Sequence, residues 1–192
     1  MKRNPYRRDW LLRSAGLGLG LGLAGWVGPA SALDIDLRQH GLVLLIRHAT
    51  TDAGVGDPPG FQPGLCSTQR NLSDDGRAQA QRLGARLADL ALKPQRVRSS
   101  VWCRCIDTAQ LAFGEHEPWP ALNSTFGVAT SQPAQTAELR AALATLAPGR
   151  IEAWVTHQVN ITALTGEFAA MGEVLVLRGG PGPPTVLRRI TV

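Results

Sequence analysis

The 192-residue chain has 44% hydrophobic residues and a formal net charge of +5, with 20 basic and 15 acidic side chains. The excess charge lies near the start, because residues 33–192 carry 15 basic and 14 acidic side chains, a net charge of only +1. This balance argues against nucleic acid as a partner and against a polybasic membrane-binding surface. Residues 33–192 suffice for one domain with its own hydrophobic core.

Residues 1–32 have the layout of a bacterial export signal. Basic residues come first, a run rich in glycine and leucine follows, and Ala30-Ser31-Ala32 forms a cleavage pattern of small residues. The pair Arg7-Arg8 resembles the twin-arginine signal. We therefore expect cleavage after Ala32 and a periplasmic or secreted protein. The alternative is a retained membrane anchor, but a stable span needs roughly 20 mostly apolar residues. This run has about 17, and Arg13 interrupts it.

The first predicted element after the signal is a strand over 42–46, Leu-Val-Leu-Leu-Ile. The run is too short for a helix and does not alternate, which is typical of a strand buried on both faces of a parallel sheet. Residues 49–71 hold four glycines and three prolines, and they predict a long loop of a length that is usually functional or disordered.

Strand and helix patterns then alternate to the end of the chain. This order predicts an α/β fold, a three-layer α/β/α sandwich with a mostly parallel central sheet. The predicted elements are a helix from Ser73, a strand over 96–100, helices over 101–113 and 137–146, a strand over 151–156, a helix over 161–171 and strands over 174–177 and 185–192.

Polar side chains follow three of the predicted strands. Arg47-His48 comes directly after the first, and Arg104 lies one helical turn beyond Ser99-Ser100 at the end of the second. His157 follows the strand over 151–156. Ligands of such sheets bind beyond the carboxyl ends of the strands, so we expect these side chains at one rim. Arginine donors match phosphate geometry and a neutral histidine can act as a nucleophile, which together predict phosphoryl chemistry.

Four motifs in the same order and spacing resemble those of the histidine phosphatase superfamily, which includes the phosphoglycerate mutase-like enzymes. Residues 44–49 (LLIRHA) are similar to LxRHG, and residues 71–80 (NLSDDGRAQA) to NLTxxGxxQA. Residues 99–109 (SSVWCRCIDTA) are similar to SSxxxRxxxTA, and 155–157 (VTH) to the VxH of the second histidine. The resemblance spans essentially all of residues 40–192.

The resemblance implies a phosphoglycerate mutase-like fold and hydrolysis of a small phosphorylated substrate, a phosphomonoester or a phosphoprotein. His48 would be the nucleophile that forms a phosphohistidine, and Arg47 and Arg104 would clamp the phosphoryl oxygens. His157 would complete the pocket. No metal or organic cofactor is implied, and the oligomeric state is left open.

The chain departs from the family pattern at two positions. Ala49 replaces the usual glycine, which is a mild change. Where many members place an acid, this chain has Asn123, which cannot protonate an alkoxide; Asp52 and Glu138 are possible substitutes. Without an acid, we expect a bias toward good leaving groups, because general-acid help is worth about 10²–10⁴-fold for poor ones.

Three further side chains are predicted to contact the substrate: Arg70, Asn123 and Gln158. Arg70 closes the glycine- and proline-rich loop, and its alternative is an ordinary solvated charge. Gln158 directly follows His157, and its alternative is to begin the next helix.

The cysteines are Cys66, Cys103 and Cys105. Export to an oxidising compartment permits a disulfide from Cys66 to either of the others, which leaves one free thiol. A zinc site is disfavoured because no histidine lies at ligand spacing.

Two other functions fit the same motifs. One is a phosphate-ester binding protein without turnover, and the other is a phosphoglycerate mutase-type phosphotransferase. Export argues against the mutase, whose substrates are cytoplasmic.

Overall fold

The computed structural model describes residues 39–54, 56–126 and 129–192. The strands are β1 (Leu42–Arg47), β2 (Arg96–Ser99), β3 (Glu117–Pro118), β4 (Ile151–Thr156), β5 (Val174–Arg178) and β6 (Thr185–Ile190). The α-helices are α1 (Asp74–Asp89), α2 (Cys103–Phe113), α3 (Gln132–Ala144) and α4 (Gln158–Thr165). The predicted export signal lies outside the described residues. Within the described ranges, no helix has the length and apolarity needed to cross a membrane.

The six strands form one sheet in the order β3-β2-β4-β1-β5-β6. The pairs β3–β2, β2–β4 and β4–β1 are parallel, whereas β5 pairs antiparallel with both β1 and β6. The prediction of an α/β sandwich with a mostly parallel sheet is confirmed. The carboxyl ends of β1, β2 and β4 lie side by side, and this arrangement creates the rim that the sequence predicts.

Strand β1 is buried on both faces because a helix layer covers each side of the sheet. Its alternate side chains enter two hydrophobic clusters. Leu42, Leu44 and Ile46 pack with residues of α1 and α2, including Leu83 and Leu87. The other face meets α3 and α4, in a cluster that includes Val43, Leu45, Leu139, Leu143, Ile161 and Leu164.

The predicted ends of two helices differ from the observed ones. Helix α3 begins at Gln132 rather than at 137, with Pro133 in its first turn, where a missing N–H costs nothing. Helix α4 spans Gln158–Thr165 rather than 161–171, because Gly166 takes a left-handed conformation with φ of 78° and ends it. Strand β3, with two residues, is too short for a sequence pattern to reveal.

Candidate active site

The ends of three adjacent strands place the predicted catalytic side chains around one cavity of about 570 Å³. The backbone N–H of His48 donates to Thr156 O at 3.0 Å, and the N–H of Ser100 donates to Val155 O at 3.0 Å. These bonds extend the ladders past the strands and fix the three ends relative to one another. Of the seven predicted site residues, all but Asn123 line the cavity. These six are Arg47, His48, Arg70, Arg104, His157 and Gln158.

The imidazole of His48 is fixed in the tautomer that a nucleophile needs. Its Nδ1 lies 2.8 Å from Ala49 O, which can only accept, so Nδ1 carries the proton and Nε2 keeps its lone pair. Burial first, and then the charges of Arg104, Arg47 and Arg70, lower the pKa of His48 to about 3 against the opposing effect of the Ala49 carbonyl. The ring is therefore neutral at neutral pH.

Two motif residues, Thr108 and Gln79, hold the backbone that directly follows His48. Ala49 N–H donates to Thr108 Oγ1 at 2.9 Å, and Thr108 in turn donates to Arg104 O at 2.6 Å. Gln79 Oε1 accepts from Thr50 N at 3.0 Å and from Thr50 Oγ1 at 2.9 Å. The methyl group of Ala49 is fully buried beside Leu72 and Ala80, so the site accommodates the departure from glycine.

Arg47 is held from behind by the segment that precedes β5. Its Nη1 donates to Ala169 O at 2.8 Å, and its guanidinium carbon lies 5.5 Å from the centre of the Phe168 ring. Ala169 N–H donates to Gln158 Oε1 at 3.0 Å, so Gln158 supports the segment that orients Arg47. Arg47 Nε is buried and has no hydrogen-bond partner among the described residues. Burial and the nearby Arg70 lower the Arg47 pKa.

Arg104 lies nearly fully buried at the start of α2 and is paired with Asp57, an acid that no sequence motif indicates. Its Nη1 lies 2.8 Å from Asp57 Oδ1 and its Nη2 lies 3.2 Å from Asp57 Oδ2. Asp57 Oδ1 also accepts from the backbone N–H of Arg70 at 3.1 Å. Arg104 Nε, like Arg47 Nε, is buried without a partner among the described residues.

His157 belongs to a directed chain of hydrogen bonds. Arg104 Nη2 can only donate, so His157 Nδ1 accepts at 3.4 Å and Nε2 carries the proton. Nε2 donates to Ser100 Oγ at 2.9 Å, and Ser100 Oγ donates to Asn123 Oδ1 at 3.2 Å. Burial and the charge of Arg104 hold the pKa of His157 well below its usual range.

Asn123 ends this chain behind the cavity wall. Its Oδ1 also accepts from Val101 N–H at 2.9 Å, and its neighbour Ser124, rather than Asn123, lines the cavity. The structure thus gives Asn123 a supporting position, and its direct contact with substrate stays a prediction.

The two proposed substitutes for the missing acid lie away from the lining. Asp52 is exposed on the loop after β1, and Glu138 accepts a hydrogen bond from Trp119 Nε1 at 2.6 Å on α3. Among the described residues that line the cavity, Asp57 is the one carboxylate. No pattern singled out this residue of the glycine- and proline-rich loop, because its contact with Arg104 is a long-range one.

The disulfide joins Cys66 to Cys103, and Cys105 is the free thiol that the sequence analysis allowed. Burial raises the pKa of Cys105 to about 12, so this thiol is protonated and unreactive at neutral pH. Its sulfur lies 3.5 Å from His157 Nε2. Among the described residues, His, Cys, Asp and Glu side chains form no group of three that could hold a metal ion.

Aromatic side chains line the mouth of the cavity. Phe61 and Trp102 pack with their ring centres 5.6 Å apart, and Trp102 packs edge-on against the ring of His157 at the same separation. Phe126 also lines the cavity and is 83% exposed. The phosphoryl pocket therefore opens to solvent between apolar surfaces.

Comparison with known proteins identifies relatives of this architecture. The family model of the histidine phosphatase superfamily (branch 1) matches residues 43–142. No curated protein sequence matches the chain. Solved structures with the same fold include the protein histidine phosphatase SixA complexed with tungstate, with a TM-score of 0.53 and 16% identity over 78% of this chain and 96% of that one.

Two further structures of different activity are similar to the same extent. Phosphoserine phosphatase from Entamoeba histolytica has a TM-score of 0.56 and 14% identity over 78% of this chain and 96% of that one. A putative α-ribazole-5'-phosphate phosphatase from Escherichia coli K-12 has a TM-score of 0.58 and 16% identity over 80% and 97%. At these identities the likeness shows the fold alone.

Proposed function

The chain belongs to the histidine phosphatase superfamily, and we propose that it is an exported phosphatase that hydrolyses a phosphomonoester or phosphoprotein through a phosphohistidine on His48. The observation that carries this proposal is the His48 ring itself. Its Nδ1–H donates a hydrogen bond to Ala49 O, so Nε2 keeps its lone pair. The ring lines a cavity that is also lined by three arginines.

The charges of the cavity fit a phosphoryl dianion. Both histidines are neutral, whereas Arg47, Arg70 and Arg104 are cationic, and Asp57 offsets one positive charge. The three guanidinium groups that line the cavity supply N–H donors for the equatorial oxygens. Preorganised donors of this kind stabilise the charge that develops in phosphoryl transfer without having to reorganise.

The reaction has two steps. The Nε2 lone pair of His48 forms a bond to phosphorus while the bond to the leaving oxygen breaks, and that oxygen keeps the electron pair. Water then attacks the phosphohistidine, and the electron pair of the P–N bond returns to Nε2. The Ala49 carbonyl stabilises the positive charge on the ring in the intermediate, because it holds the Nδ1 proton.

The activities of the similar structures differ and do not indicate one substrate for this chain. These structures are a protein histidine phosphatase, a phosphoserine phosphatase and a putative α-ribazole-5'-phosphate phosphatase. Their substrates all carry a phosphoryl group, but the leaving group differs from one substrate to the next. The periplasmic location is supported by the layout of residues 1–32 and by the Cys66–Cys103 disulfide, since such bonds persist in oxidising compartments.

The direct test is to trap the intermediate. Purified protein without residues 1–32 is mixed with radiolabelled p-nitrophenyl phosphate and quenched in base, where phosphohistidine survives. We expect label on the wild type and none on His48→Ala. The matched control is His40→Ala, because His40 precedes β1 at the end opposite the cavity and should label normally. Label on His48→Ala would refute the assignment, and binding of phosphate without labelling of wild type would favour the non-hydrolytic binding protein.

A further inference from the structure

The cavity continues outward from the two histidines along a line of aromatic rings. The ring centres of His48 and His157 lie 5.6 Å apart. Trp102 packs edge-on against His157, and Phe61 packs against Trp102, each with 5.6 Å between ring centres. Phe126 lines the same cavity from the segment between β3 and α3. The place where phosphorus would react therefore opens directly onto aromatic surface.

The leaving group of a substrate would lie toward this surface. A phosphoryl group that reacts with His48 has its leaving oxygen on the side opposite Nε2, because the attacking and leaving atoms are roughly in line. His48 is 3% exposed, whereas Phe61 is 37% exposed and Phe126 is 83% exposed. The group that leaves thus extends from the buried histidine toward the exposed rings.

The polar side chains in this part of the cavity have little to offer a sugar or another polyol. Both amide hydrogens of Gln158 are engaged, because Nε2 donates to Thr162 Oγ1 at 2.8 Å and to Glu167 O at 3.1 Å. Ser124 Oγ accepts from Phe126 N–H at 3.3 Å. The lining residues other than these, the histidines and the charged side chains present no accessible polar side-chain atom: Gly56, Phe61, Trp102, Phe126 and Val159. Hydroxyl groups would lose water here and gain few partners.

The lining residues that the structure describes also include no general acid for a poor leaving group. Their one carboxylate, Asp57, accepts from two nitrogens of Arg104 and from the backbone N–H of Arg70, and such donors favour its charged form. Asn123 has no ionisable group, and both histidines are neutral. The alkoxide of a sugar or glycerol ester needs acid help worth about 10²–10⁴-fold, whereas a phenol ionises with a pKa of about 10 and leaves without a proton.

We propose that this enzyme prefers aryl phosphate monoesters and that Phe61, Trp102 and Phe126 bind the aromatic ring of the leaving group, a preference that rests on the proposed phosphatase function. Nε2 of His48 bonds to phosphorus, the P–O bond breaks, and its electron pair leaves on the phenolate oxygen, which takes its proton from solvent. Water then attacks phosphorus and gives its proton to solvent, and the electron pair of the P–N bond returns to Nε2. Contacts between rings add to the affinity that burial of the apolar ring provides.

The test measures binding of two phosphonates that cannot be hydrolysed, phenylphosphonate and methylphosphonate, by calorimetry. They share the anionic group and differ in the ring. We expect wild type to bind phenylphosphonate about tenfold more tightly than methylphosphonate. Phe61→Ala and Phe126→Ala should each lower that preference several-fold with no change for methylphosphonate, and the double variant should abolish it. Both side chains are exposed, so these variants should fold.

The controls keep a structural effect apart from a loss of ring binding. Leu65→Ala removes an exposed apolar side chain from the same loop, outside the cavity lining, and should leave both affinities unchanged. Phe61→Tyr keeps the ring and should retain the preference. A wild type that binds both phosphonates equally overturns the proposal. An equal loss of both affinities in Phe61→Ala also overturns it, because the side chain would then only support Trp102.

Turnover identifies the kind of aryl ester and separates this proposal from the phosphatase function. Phenyl phosphate and a short phosphotyrosine peptide are compared with glycerol 2-phosphate. Faster turnover of either aryl ester supports the proposal and identifies the source of the ring, whereas equal or faster turnover of glycerol 2-phosphate overturns it. A wild type that prefers phenylphosphonate but hydrolyses no ester would overturn the phosphatase function alone, and a wild type that binds neither phosphonate would overturn both.

Discussion

Cys66 is bonded to Cys103, the residue directly before Arg104. The disulfide thus connects the loop that carries Asp57 and Arg70 to the first turn of the helix that carries Arg104. Cys103 is buried and Cys66 is exposed, so the bond fixes a surface loop to the buried start of the helix.

Reduction of this disulfide should weaken both stability and activity. It closes a sequence separation of 37 residues, and the chain-entropy relation gives about 4 kcal/mol for a loop of this length. We expect dithiothreitol to lower the melting temperature and kcat/KM of the wild type. The double variant Cys66→Ala/Cys103→Ala should resemble reduced wild type and should not respond to dithiothreitol. A wild type that keeps its full activity when reduced would contradict this prediction.

Export is predicted from residues 1–32 alone. Replacing Arg7-Arg8 with two lysines should retain the protein in the cytoplasm, because the twin-arginine pathway reads that pair. Mass spectrometry of the wild type from a periplasmic fraction should find Leu33 as the first residue. Replacement of Lys2-Arg3 with two glutamines is the control and should leave export intact. Equal export of all three forms would exclude the twin-arginine route.

The sequence predicts those parts of the site that depend on strand ends. The run over 42–46 had to be a buried strand, and a parallel sheet had to bring His48 and His157 to one edge. The motif residues Thr108 and Gln79 then hold the backbone beside His48 through bonds of 2.9–3.0 Å. Such local patterns predict the structure well because one face of each element must be buried in the core, which fixes the positions of its residues.

The carboxylate in the cavity lining, Asp57, could not be predicted in the same way. Asp57 lies in a loop without periodicity, and its position depends on Arg104, which is 47 residues away in sequence. The possible substitutes Asp52 and Glu138 have no good motif support in the sequence, and neither lines the cavity. For Gln158 the two alternatives drawn from the sequence are both observed, because this residue begins α4 and also lines the cavity.

The glycine of the second motif is required by a close approach of the backbone. A Cβ atom at Gly76 would lie 1.9 Å from Thr50 O, two residues after His48. Gly76→Ala should therefore lower the free energy of unfolding by about 1–3 kcal/mol, the usual cost of overpacking. Gly56→Ala is the control, because a Cβ there would meet no atom within 4 Å. Urea denaturation of both variants measures the difference, and an unchanged Gly76→Ala midpoint would contradict the tight packing.

The stability of the fold should depend on pH through His48. Its pKa is about 3 in the folded protein and near 6.5 when unfolded, so the unfolded chain binds a proton first as the pH falls. Protonation of this residue leaves the free energy of unfolding unchanged above pH 6.5 and lowers it by about 2 kcal/mol at pH 5. Urea unfolding at pH 7.5 and pH 5 should show a smaller difference for His48→Gln than for wild type. Equal differences would mean that His48 is protonated in the folded protein.

The shape of Arg104, and not only its charge, should determine the rate. Its planar group directs two nitrogens at Asp57 and one of them also at His157 Nδ1, whereas a lysine offers one ammonium group that cannot reproduce this geometry. Arg104→Lys should lower kcat by about 10²–10³-fold, the usual loss when one preorganised donor is removed. The control Arg96→Lys changes an exposed pair with Glu117 and should leave kcat unchanged. If Arg104→Lys kept wild-type kcat, a single positive charge would be enough for catalysis, and the predicted importance of the planar guanidinium would be refuted.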